Sequence, residues 1–152
     1  MTEISTPLKL VAFDTEDLSV LSAHVQDADL RPTDMTYSAS EKRFVMVLAR
    51  YDWQAAVQDV HQRVETGLHF DHVTSVATQN ITRGTLEPLT LRAITFKAAV
   101  APSGALTLNF ANGGAIRLEV ECIDAQLRDM DRRWDEPNSP PASLKGETEF
   151  GN

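Results

Sequence analysis

Apolar and polar positions along the chain describe a helical start, a long run of strand-like segments, and a second helical-looking stretch near residue 130. After Asp14, Leu18, Leu21, Val25 and Ala28 recur at helical spacing and mark one buried face. The Asp14 side chain can accept from the free amides of a first turn, and Glu16 and Asp17 suit the positive end of the helix dipole. Pro32 opposes any continuation. Upstream, residues 8–13 (LKLVAF) read as a short strand leading into that helix.

Strands dominate from there. MTYS and RFVMVLARY flank the polar stretch 39–42 and predict a hairpin. The second of these is apolar on both faces, as a central, covered strand would be. Residues 52–62 fit a short helix or a long loop equally well: Trp53, Val57 and Val60 have helical spacing, but no stop signal follows. Two strands are expected within residues 63–81, with a turn near Phe70 to His72. Another covers residues 89–96, where the alternation slips between Leu91 and Ile94 as a bulge would make it.

The clearest pair comes next. Leu106, Leu108 and Phe110 alternate with polar residues, and so do Ile116, Leu118 and Val120. Both sets must face one core, and a slip of one residue would reverse the whole face. That requirement predicts a three-residue loop, Asn112-Gly113-Gly114, with Gly114 left-handed. Phe110 would then lie opposite Ile116, Leu108 opposite Leu118 and Leu106 opposite Val120. Finally, Ile123, Leu127, Met130 and Trp134 follow i, i+4, i+7, i+11 and predict an amphipathic helix over residues 123–134. The last eighteen positions, 135–152, hold three prolines and little apolar mass and are expected to be a disordered tail. The globular domain is therefore expected to span residues 1–134. The element pattern predicts an α+β domain: six or seven antiparallel strands, strongly bent or partly closed, with a helix near each end.

Charge removes several classes of partner. The chain of 152 residues carries a formal charge of −8. Its densest basic cluster, Arg128, Arg132 and Arg133, is interleaved with Asp124, Asp129 and Asp131. Nucleic acid and anionic membrane are poor matches for that pattern. One cysteine, Cys122, excludes an internal disulfide framework. No stretch approaches the ~20 apolar residues that span a bilayer. The N-terminus lacks a basic-then-apolar leader, and a cytoplasmic location is expected.

Candidate chemistry is sparse. His69, Asp71 and His72 lie within four residues and could contribute to a zinc or iron site if a turn brings them together. On a continuous strand His69 and Asp71 share a face while His72 points away, leaving two half-exposed histidines beside a buried Phe70. His24 is expected on the helix surface. Cys122 follows the apolar phase of its strand and reads as a small buried hydrophobe. Glu119 and Glu121 read as a solvated strand face. Tyr51 and Trp53 place two aromatics at a strand end, where they either contact a partner or cover the end of the core. No cofactor is implied. The leading expectation is a non-catalytic binding or protein-interaction module that receives a peptide or protein at an open sheet edge or at Tyr51/Trp53. The alternatives are a small metal-dependent or metal-binding protein using His69, Asp71 and His72, and a homo-oligomer built on an exposed strand edge.

Residues 8–28 (LKLVAFDTEDLSVLSAHVQDA), RFVMVLARYDW, GLHFDHV and GGAIRLEVECIDAQLRDM resemble an uncharacterised alphaproteobacterial domain-of-unknown-function family. That resemblance covers most of residues 8–134 and implies no activity, substrate or catalytic residue. In element order the chain is also similar to the pleckstrin-homology-like barrel, in which a C-terminal helix plugs one end of a bent sheet.

Overall fold

The computed structural model describes residues 6–82 and 87–136. Its first helix forms where the spacing requires. Strand β1 (Lys9–Ala12) leads into α1 (Thr15–His24), and the N-cap Asp14 accepts from the Asp17 amide at 2.8 Å. Leu18 and Leu21 are buried on its inner face, and Val25 and Ala28 continue the buried set beyond the helix end. Each fully buried leucine is worth about 1.5–3 kcal/mol relative to exposure, which holds the helix against the sheet.

The rest is strand: β2 (Ala28–Leu30), β3 (Met35–Ser38), β4 (Arg43–Tyr51), β5 (Gln62–Phe70), β6 (Val73–Gln79), β7 (Leu89–Ala98), β8 (Gly104–Phe110), β9 (Ala115–Val120) and β10 (Ala125–Asp135). Between β4 and β5, the region open to two readings holds one helical turn, α2 (Trp53–Ala56), followed by a loop. All strands join one antiparallel sheet in the order β1-β10-β5-β4-β2-β7-β8-β9-β6, with β3 lying alongside β4. Two groups of strands, β1-β10-β5-β4 and β7-β8-β9-β6, are bridged by the three-residue β2. That bridge pairs once with β4, Asp29 to Ala49, and three times with β7.

The hairpin of β3 and β4 forms as expected, with Ser38 opposite Arg43. So does the bulge in β7, where the register shifts between Leu91 and Ala93. The β8–β9 loop has the expected length but sits one residue earlier. Phe110 and Gly114 close it through a backbone hydrogen bond of 2.8 Å, leaving Ala111-Asn112-Gly113 as the loop. Asn112 (φ 69°) and Gly113 (φ 81°) take the left-handed conformations, and Gly114 is extended. Leu108 therefore faces Ile116 and Leu106 faces Leu118, two residues away from the expected register. A two-residue shift preserves pleat parity, so the same six apolar side chains still point inward.

The expected α+β class, with its C-terminal helix and pleckstrin-homology-like plug, is corrected by β10. Residues 125–135 form an eleven-residue strand between β1 and β5. The stripe of Ile123, Leu127, Met130 and Trp134 is a coincidence of two strand phases separated by a register shift between Asp129 and Arg133. Before that shift the inward positions are Ala125, Leu127 and Asp129. The third is a charge, so the two-residue period does not show as hydrophobicity. The described chain is thus a curled, open antiparallel sheet with α1 packed on it. Within the expected tail, the Glu136 carboxylate accepts from Arg63 Nε at 2.8 Å. The rest of the expected tail, 137–152, lies outside the described residues.

Candidate functional site

The sequence-predicted site residues are placed in three settings. Tyr51, at the end of β4, is fully buried, so no partner reaches it in the folded chain. Its hydroxyl hydrogen-bonds His61 Nδ1, and its ring meets Trp53 edge-on at 4.7 Å between centroids. Burial, reinforced by the Glu136 charge, pushes the Tyr51 phenol above its ordinary pKa. The Trp53 indole N–H donates to the Gln26 carbonyl at 3.2 Å. Between them Asp52 caps α2 by accepting from the Ala55 amide, and its other oxygen takes Arg133 at 2.7 Å. The pair covers the end of the core.

His69, Asp71 and His72 do not converge. Asp71 is held by Arg43, at 2.6 Å from Nε, and stands 3.6 Å from His69 Nε2. His72, in a left-handed turn (φ 60°), points instead toward Glu121 and Asp124 at 3.5 and 3.3 Å. Among the described residues no group of three or more His, Cys, Asp or Glu side chains could hold a metal ion. Cys122 is half-buried, and burial raises its thiol pKa, which opposes thiolate chemistry. Glu121 is exposed and held below its ordinary range by its hydrogen bond to Lys42.

The polar group that the sequence conceals is internal. Arg50, 1% exposed, forks onto the fully enclosed Asp129 carboxylate, with Nε at 3.1 Å from Oδ1 and Nη2 at 2.8 Å from Oδ2. The Thr66 hydroxyl and the Leu8 amide complete the shell at 2.9 and 2.8 Å. Four donors satisfy both oxygens, which a buried carboxylate requires. This cluster locks β4, β5, β10 and the chain before β1 together, and it leaves no space for a substrate.

The feature that is open lies elsewhere. Among the described residues β3 pairs only with β4 and β6 only with β9, so each presents one unpaired edge. The curl of the sheet brings those edges face to face. At one end they are latched: the Val73 amide donates to the Lys42 carbonyl at 2.9 Å, and the Tyr37 hydroxyl donates to the Val73 carbonyl at 2.8 Å. From there they diverge into a groove of about 460 Å³ that extends to Pro32 and Ile81. Met35, Tyr37, Phe44, Val76 and Ile116 supply apolar surface, and Thr33, Thr36 and Thr78 supply hydroxyls. One signal of this was present in the sequence: β6, VTSVATQ, is so polar that only Val73 is buried, as an edge strand requires. That the edge faces β3 could not be read, because the seam depends on the closure of the whole sheet.

The fold and this site define a small antiparallel-sheet domain with an unclosed seam. The match to a family model described as protein of unknown function (DUF2948), over residues 8–142, shows that the chain belongs to that family. Neither a curated protein nor a solved structure matches it. Among the described residues no helix is long and apolar enough to cross a membrane.

Proposed function

We propose that this domain is a binding module that accepts an extended segment of a partner protein along the seam between β3 and β6. The observation that carries the reading is a pair of unpaired strand edges facing each other across an apolar-floored groove. Such edges offer rows of free backbone donors and acceptors, and a strand laid along either one satisfies both chains. Alternate side chains of the guest would point down onto Phe44, Val76 and Ile116, which supplies selectivity, while the others face solvent. The threonines at the rim suit a guest with small polar residues at those outward positions. A non-catalytic role agrees with the buried, fully partnered state of the charged side chains inside the sheet.

The test is selection of short peptides from a displayed random library on the intact protein, followed by affinity measurement on Val76→Glu and Met35→Glu. Both positions are half-exposed, so a charge there disturbs the groove more than the core. Selected peptides should show extended, alternating apolar patterns and lose at least about tenfold in affinity on either variant, the equivalent of about 1.4 kcal/mol. Peptides that bind both variants as tightly as the original chain would place the contact elsewhere and overturn the seam as the site.

A further inference from the structure

On the opposite face of β4 from the seam, four strands present a second concavity. Register places its residues in two rows across β1, β10, β5 and β4. One row is Lys9, Arg128, Gly67 and Val47; the next is Val11, Gln126, His69 and Val45. Gly67 lacks a side chain in the middle of the first row, and the hollow there measures about 380 Å³. The size is within the ordinary range of small-molecule sites, about 300–1,000 Å³. Met130 flanks it, its Cε 3.0 Å from where a Cβ on Gly67 would stand.

Charge on this face runs against the chain as a whole. Acids outnumber bases 22 to 14 in the sequence, yet no acid lines the Gly67 hollow. Lys9 and Arg128 sit directly opposite each other on neighbouring strands, and among the described residues neither is within ion-pair distance of a carboxylate. Like charges in directly opposed positions are unfavourable unless an anion joins them. The acids gather in the adjoining groove instead, as Asp29, Asp34 and Glu65. Apart from Gln126 and His69, the rest of the lining is apolar, and it is open where Val11 is 50% exposed, Met130 42% and Val45 37%.

We propose that the Gly67 hollow binds an anionic amphiphile, a small molecule carrying one carboxylate-type head on an apolar stem. The head lies over Arg128 and Lys9, and the stem crosses Gly67 onto Val47 and Val45. The order of residues along the row fixes that direction. Cations occupy one end, hydrocarbon the other, and the position between them has no side chain of its own, with the end of the Met130 side chain standing over it. This inference is independent of the seam.

The experiment is a titration of ¹⁵N-labelled protein with decanoate, decanol and decyltrimethylammonium, each below its micelle concentration. Decanoate should shift the amide signals of Val47, Gly67 and Arg128 and bind about tenfold more tightly than the cationic amphiphile. In a Lys9→Glu/Arg128→Glu double variant, which exchanges one exposed like-charge pair for another, the cationic amphiphile should become the better ligand. Gly67→Val fills the hollow and should weaken decanoate about fivefold while leaving the charge preference intact. An equal response to all three amphiphiles would show general apolar adhesion and overturn the proposal. So would shifts confined to other residues, or a preference for decanoate that survives the double charge reversal.

Discussion

The same inward sheet face is built in two different ways. In β7, β8 and β9 it is hydrocarbon: Leu91, Ile94, Leu106, Leu108, Ile116 and Leu118, all buried in one cluster. At the far ends of β4, β5 and β10 it is ionic: Arg50, Thr66 and Asp129 occupy positions where leucines would fit the pleat. The apolar part is non-directional and tolerates adjustment, whereas the ionic part demands fixed geometry from several strands at once. Both lips of the seam stand on apolar stretches, since β3 pairs with Arg43–Met46, where Phe44 and Met46 point inward, and β6 pairs with β9.

The comparison can be broken most forcefully at Asp129. Asp129→Ala leaves the Arg50 guanidinium enclosed without a counter-charge and should cost about 3–5 kcal/mol in chemical denaturation. Leu118→Ala in the apolar part should cost roughly 2–5 kcal/mol, through lost contacts and the cavity left behind. The distinction between the parts appears in the second substitution. Arg50→Met combined with Asp129→Leu should recover most of the ionic loss, because it removes both desolvated charges. A further deletion beside Leu118, such as Leu106→Ala, should only add to the damage. Failure of the charge-free pair to recover stability would mean that the cluster holds the strands by more than mutual neutralisation.

A smaller effect is expected at Thr66. Its hydroxyl donates to Asp129 and lies 3.1 Å from the Val64 carbonyl, so Thr66→Val should cost about 1–2 kcal/mol. An unchanged denaturation midpoint would show that Asp129 is satisfied without it.

The finest probe is pH. His24 lies half-buried at the end of α1, and among the described residues its Nδ1 has no hydrogen-bond partner. Burial lowers its pKa below the ordinary 6.5; Arg50 lowers it further, against the opposing pull of Asp129 and Asp52. The unfolded chain therefore binds the proton first as pH falls. Stability is full above pH 6.5, declines as pH drops through that value, and levels off below the folded-state pKa. His24→Gln should flatten that part of the stability profile, read by denaturation at a series of pH values. An identical slope in the variant would place the titration elsewhere.

How much of this was legible divides along the same line. The apolar hairpin of β8 and β9 announces itself, because Leu106, Leu108, Phe110, Ile116, Leu118 and Val120 point inward and Thr107, Asn109, Arg117 and Glu119 alternate with them. Even there the loop moved by one residue, since Asn112 takes a left-handed conformation that glycine had been expected to supply. In β10 the inward series ends on Asp129, whose partner Arg50 is 79 positions away, so a hydrophobic period has nothing to register. A fortuitous helical stripe filled the gap. The seam was not read from the sequence: the polarity of VTSVATQ could have marked β6 as an edge, but its position opposite β3 arises from pairings spread over the described chain.

The central claim is that β3 and β6 are the two lips of a peptide-binding seam. The most direct measurement is backbone amide exchange of the free protein and of the protein saturated with a selected peptide. Slowed exchange within 35–38 and 74–79, with the interior of β8 unchanged, is the predicted result. Protection confined to other residues, or a bound peptide that slows neither β3 nor β6, would contradict it.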